Sequence, residues 1–195
     1  MRISLLVVLA VALCALCDDL LSSSLSSAMN AALFESIHTQ RWQEIYDEWF
    51  QPQALLDGGI TERQVFSQEW DCQASFMQNF PSVAELEEDH RLYQILADEK
   101  IRIGCSPTME PGFFKDGDNY TGFDYDLTTD LVERVSREYL GDRSTIEIEW
   151  VEVTEFSELW TNDGDDFDFG VGMVSFDPVI RQQSAAASCT YVGTQ

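Results

Sequence analysis

Between Ala28 and Phe50 the apolar residues Leu33, Phe34, Ile37, Trp42, Ile45, Tyr46, Trp49 and Phe50 recur at helical spacing. The pattern predicts an amphipathic helix or a kinked pair. Pro52 and the Asp57-Gly58-Gly59 cluster are its expected stop. Residues 60–80 hold Phe66, Trp70, Phe76 and Phe80 without a clean period. At Pro81-Ser82 a second helix is expected to open and run to about Ala97. Ser82 has the chemistry of an N-cap, with Glu85 three residues on as in a capping box.

From Lys100 the period alternates. Ile101-Arg102-Ile103-Gly104 reads as a short strand. Residues 124–139 read as a helix with Leu127, Leu131, Val132 and Val135 on one face. The run IEIEWVEV over 146–153 has the period of two that marks a strand. Phe156 to Trp160 predict a short helix, and FDFGVGMV over 167–174 a more buried strand. A strand–helix–strand–helix–strand order implies parallel strands joined by right-handed crossovers. The predicted class is therefore α/β, a mainly parallel sheet flanked by helices with a helical segment before it. In such sheets ligands gather at the carboxyl ends of the strands.

Composition narrows the function classes. The 195 residues include 35 Asp plus Glu against 11 Lys plus Arg, a formal net charge of -24. So acidic a surface repels phosphate backbones and anionic headgroups, which argues against nucleic-acid binding and fits a well-solvated extracellular protein. Apolar residues make up 45% of the chain, enough for a core. The opening MRISLLVVLAVALCALCDD has one positive charge, an apolar run too short for a membrane span, and small residues before acids. It reads as a secretory signal peptide over 1–17, with cleavage after Cys17. A lipid anchor at Cys14 or Cys17 is the alternative, and Leu13 and Leu16 in the preceding positions argue against it. Residues 18–27 are Ser-rich and predict a flexible lead. Cys72, Cys105 and Cys189 then remain, either as one disulfide and a free thiol or as buried free thiols. Their spacing fits no zinc pattern.

The stretch IRIGCSPTMEPGFFKDGDNYTGFDYDLTTDLVERV resembles the opening of the family 3 solute-binding proteins. These are the type II periplasmic proteins that capture amino acids for ABC transporters, and are related to the ligand-binding core of ionotropic glutamate receptors. The likeness lies in a strand, a Gly, a Ser-Pro loop, an aromatic, a Gly-bearing hairpin turn and Gly-Phe-Asp-x-Asp-Leu opening a helix. It continues through WVEVTEFSELW, FDFGVGMVS and RQQSAAASCTYVG, covering about residues 95–195. AALFESIHTQRWQEIYDEWF resembles the closing helix of the same family, which packs on the first lobe. The resemblance implies that residues 28–97 form a helical segment docked on the lobe by permutation or as the remnant of a tandem array. It also implies that residues 98–195 form a first lobe, incomplete at Gln195, with the second lobe missing.

The resemblance further implies a secreted or periplasmic module that binds an amino acid or similar small polar solute. Its partner would be an ABC transporter permease or a receptor, and no cofactor, metal or catalysis is expected. Arg181 matches the family Arg that grips the ligand carboxylate through two charged hydrogen bonds. Ser175 matches a family hydrogen-bonding Ser or Thr. Phe156 falls where an aromatic wall stands, Met109 where a Tyr or Phe platform is common, and Ser106 where some relatives carry an amine-binding Asp. A neutral Ser106 weakens the case for basic amino acids. Without a second lobe, charge-assisted bonds are screened by water, so weak binding is expected of this chain alone. The competing expectation is a degenerate single-lobe interaction protein that binds no ligand.

Other motifs imply less. Asp124 and Asp126 fit the first turn of a helix, where negative charge meets the dipole, better than a catalytic pair. In DGDNYTG, Tyr120 and Thr121 replace an oxygen ligand and the glycine that an EF-hand loop needs, and NDGDDFDFG fails similarly. Asn119-Tyr120-Thr121 is a glycosylation sequon, meaningful in a eukaryotic secretory pathway. His38 and His90 read as surface residues, and no Ser–His–Asp or Cys–His arrangement stands out.

Overall fold

The computed structural model describes residues 24–56, 79–161 and 166–172. The predicted N-terminal helix is a pair. Residues 24–38 form α1, a turn at Thr39 and Gln40 follows, and α2 spans Arg41–Leu56. Gln40 takes a left-handed φ of 64, which ends one helix and redirects the chain into the next. Two boundaries differ from expectation. Residues 24–27, assigned to a flexible lead, are already helical. Pro52 does not end α2, which continues for one more turn. A proline removes one backbone donor, and the helix here tolerates that loss near its end.

Ser82 is a cap, as its chemistry predicts, but of a three-residue 3-10 turn over Val83–Glu85 and not of a long helix. Its Oγ accepts the Ala84 N–H at 3.3 Å. The α-helix, α3, begins later, at Arg91, and runs to Asp98 with Leu92 and Ile95 buried. Glu99 in the left-handed region then turns the chain into β1, Lys100–Cys105.

Three short strands follow: β2, Thr108–Met109; β3, Phe113–Asp116; and β4, Asn119–Thr121. They pair antiparallel in that order. The β3–β4 turn is Gly117-Asp118, with Gly117 at φ 63. This is the positive φ that the first central position of a II′ hairpin turn requires. The helix α4, Phe123–Leu140, then starts against the same loop. The Phe123 and Asp124 N–H groups donate to the carbonyls of Pro111 and Gly112 at 2.9 and 2.8 Å. The hairpin backbone thus satisfies donors at a helix start that lacks a side-chain cap. Asp124 and Asp126 both lie in that first turn, as their spacing predicts.

The remaining elements are β5, Glu147–Glu152; α5, Glu158–Thr161; and β6, Phe169–Val171. The main sheet is β5-β1-β6, with both pairings parallel. This is the α/β lobe that the element order predicts, a parallel sheet flanked by helices with a small antiparallel sheet at its side. Period two divides β1: Ile101, Ile103 and Cys105 are buried in the core with α4, while Arg102 and Gly104 face the other way. Trp150 of β5 extends the core, its ring 5.0 Å from Phe113 and 5.4 Å from Tyr125.

The helical pair belongs to this core. Trp42 stacks on Tyr46 at 5.1 Å, and both meet Phe123 of α4 edge-on. Polar contacts fix the same junction from outside. Arg134, 7% exposed at its side chain, bonds Asp130 at 2.8 Å, Thr39 at 3.0 Å and Glu35 at 3.2 Å, while Ser36 donates to Asp130 at 2.5 Å.

Candidate functional site

Register aligns the strand ends. Cys105 lies opposite Glu152 on one side and Val171 on the other, so β5, β1 and β6 finish level and form one edge. Backbone bonding continues one residue further, where Val153 N–H donates to the Cys105 carbonyl at 3.0 Å. The chain leaves this edge through Ser106, Val153 and Gly172.

Two of the five predicted site residues, Ser106 and Phe156, border that exit. A Cβ on Gly172 would lie 3.8 Å from the Phe156 ring and 4.0 Å from the Ser106 nitrogen. Leu159 Cδ1 stands closer still, at 3.3 Å, so all three residues border the exit of β6. Phe156 is 36% exposed, with its ring 5.5 Å from Trp160 and nearly perpendicular to it. Ser106 is half-buried, its Oγ 3.3 Å from Thr108 Oγ1. Met109 is half-buried on β2, paired with Phe113 in the small sheet. Ser175 and Arg181 lie outside the described residues.

Glu152 is a member of this edge that the sequence reading passed over. It accepts from Lys115 Nζ at 2.5 Å and from Tyr120 OH at 2.7 Å. The ammonium also lies 5.1 Å from the centroid of the Tyr120 ring. Those hydrogen bonds, Lys115 first, hold the Glu152 carboxyl below its usual range. Burial, reinforced by the bond to Glu152, pushes the Tyr120 phenol up. The signal was present in IEIEWVEV. Ile148, Trp150 and Glu152 share one face of β5, so the alternation puts a carboxylate in line with apolar residues at the end of the strand. Beneath it, burial pushes the Cys105 thiol up to about 12, with the Glu152 charge acting in the same direction. Cys105 is free and buried. At neutral pH it is a thiol, without the thiolate that nucleophilic or ligand chemistry requires.

Beside the end of β5 an open groove of about 520 Å³ is lined by Val151, Val153, Thr154, Glu158, Asp166 and Phe167, among others. Among the described residues, Ser106, Met109 and Phe156 do not line it. Its Glu158 carboxylate is engaged, accepting the Thr154 and Glu155 N–H groups at 3.0 and 3.3 Å. One group among the described residues has metal-ligand spacing, Glu87, Asp89 and His90. Its histidine is committed, because the Glu87 N–H donates to His90 Nδ1 at 3.2 Å. In the neutral ring the proton then sits on Nε2, and neither nitrogen offers a free lone pair. No described helix is long and apolar enough to cross a membrane.

No family model matches the chain, and no curated protein matches it. Among solved structures it is similar to the crystal structure of Plasmodium falciparum PfVFT1, with a TM-score of 0.52 and 16% identity over 75% of this chain and 50% of that one. It is also similar to an ancestral cyclohexadienyl dehydratase, AncCDT-3, at 27% identity and a TM-score of 0.38 over 47% of this chain and 35% of that one. An ancestral cationic amino acid solute binding protein, AncCDT-1, matches at 26% identity and a TM-score of 0.34, over 47% of this chain and 36% of its own. The chain therefore spans half the length of PfVFT1 and a smaller share of the ancestral proteins. The likeness to PfVFT1 is one of fold, and the fold is the α/β lobe described above.

Proposed function

We propose that the chain is a secreted binding module whose lobe receives a small polar solute, an amino acid, at the edge where β1, β5 and β6 end. The observation that carries this reading is that Ser106 and Phe156 both border Gly172, where β6 leaves the carboxyl ends of the parallel strands. That is the place where open α/β sheets collect ligands. Ser106 offers a hydroxyl and Phe156 a partly exposed ring, which suit the polar head and the aliphatic stem of such a solute. Arg181 and Ser175 are the proposed holders of its carboxylate. The role is binding without catalysis, serving a transporter permease or a receptor. The buried thiol of Cys105 and the engaged carboxylates of Glu152 and Glu158 favour it over an enzyme.

The test is isothermal titration of the purified chain with a panel of amino acids. Binding is expected to be weak, and to fall further in Phe156→Ala, Ser106→Ala and Arg181→Ala. Binding that all three substitutions leave unchanged would move the site elsewhere. A chain that binds no amino acid even at millimolar concentration, on the order of the weakest measurable affinities, would favour a lobe that acts only through protein contacts.

A further inference from the structure

The sequon Asn119-Tyr120-Thr121 is the single Asn-x-Ser/Thr match in the chain, and the structure places it on β4, one residue beyond the β3–β4 turn. Asn119 is exposed and pairs with Asp116 at the end of the hairpin ladder. The adjacent turn is open, with no described residue within 4 Å of where a Cβ on Gly117 would stand. Strand alternation separates the roles of the three residues. Tyr120 is turned inward, its hydroxyl on Glu152 at 2.7 Å and its ring 5.5 Å from Phe113. Asn119 and Thr121 therefore share the opposite face, with the acceptor amide and the hydroxyl on one side.

We propose that Asn119 carries an N-linked glycan, added as the chain enters a eukaryotic secretory pathway through its apolar leader. The donor is an oligosaccharide linked through its C1 to a polyprenyl pyrophosphate. A bond forms between Asn119 Nδ2 and that C1, the C1–O bond to phosphate breaks, the polyprenyl pyrophosphate leaves, and Nδ2 gives up one proton. The glycan projects from the hairpin on the side away from Tyr120 and Glu152. It shields the turn and leaves the strand-end edge open to a solute.

The experiment is expression of the full chain, with its own leader, in a eukaryotic secretory host, followed by amidase release of N-glycans and peptide mapping. The secreted chain is expected to lose mass on release and to show Asp at position 119. Asn119→Gln and Thr121→Ala are each expected to abolish the shift, while Thr121→Ser retains it and guards against a folding artefact. Secreted chain with unmodified Asn119 would overturn the proposal, as would a chain that stays in the cytosol. Solute titration of the glycosylated and enzymatically released forms is expected to give the same affinity. A loss of more than about tenfold in the glycosylated form would refute the placement of the glycan away from the edge.

Discussion

Asp168 accepts the backbone N–H of Arg102 at 2.7 Å, tying the entry of β6 to the middle of β1. Its side chain has no exposed surface, and Arg91 of α3 donates to it from Nε at 2.6 Å. One carboxylate thus joins two strands and a helix. Asp168→Ala leaves the Arg102 N–H without its acceptor, whereas the guanidinium of Arg91, a third exposed, rehydrates. The expected loss is about 2–3 kcal/mol, seen as a lower urea midpoint with an unchanged slope. Asp168→Asn keeps an acceptor for the N–H and is expected to lose less.

Trp42 is 2% exposed, and its indole N–H has no partner among the described residues. Its contribution therefore comes from the ring, packed on Tyr46 and Phe123. Trp42→Ala is expected to destabilise by about 3–5 kcal/mol through the cavity it leaves. Trp42→Phe keeps much of the packing and removes the unpaired donor, so it should cost less than half as much. Equal losses in thermal or urea melts would show that the indole N–H has a partner after all.

The pH dependence of stability on the alkaline side follows from Cys105. Its folded-state value of about 12 lies above the ordinary 9.0. The stability this represents is complete below the ordinary thiol range and declines as pH rises from there toward 12. Tyr120 and Tyr139, both raised chiefly by burial, act in the same direction. Melting temperatures are expected to fall above about pH 9, and Cys105→Val is expected to flatten that decline. Mass mapping after native alkylation should find Cys105 unlabelled at neutral pH.

Glu152 gives the opposite sign. Its carboxyl is held below the usual range by Lys115 and then Tyr120, so the associated stability is present above the ordinary carboxylate pKa and lost as pH falls through the lowered value. The pair is exposed, so the effect on stability is small. The direct measurement is side-chain NMR titration. Lys115→Ala is expected to return Glu152 toward its ordinary value, and Tyr120→Phe to do so by less. No movement in either variant would mean that the ion pair does not persist in solution.

How much of this was readable depended on the range of the interaction. The alternation in IEIEWVEV defined β5, and Leu127, Leu131, Val132 and Val135 defined the buried face of α4, because both signals lie within one element. Ser82 was legible as a cap but not as a 3-10 cap, since the same side-chain bond serves either helix. The division of the first helix at Gln40 was open, because no glycine marks it. Lys115 and Glu152 are 37 positions apart, and Arg91 and Asp168 are 77. Such pairs exist only once the topology is known. The family resemblance nominated Phe156 and Ser106, and their nearness to Gly172 came only with the fold.

The helices over residues 24–56 fill the lobe's own interior: Trp42, Ile45 and Phe123 are each at most 2% exposed and occupy one cluster. They are structural walls, and trimming them to obtain a smaller α/β unit would strip the roof from Phe123. A truncation beginning after Leu56 should therefore give an aggregating polypeptide, whatever is done to its strands.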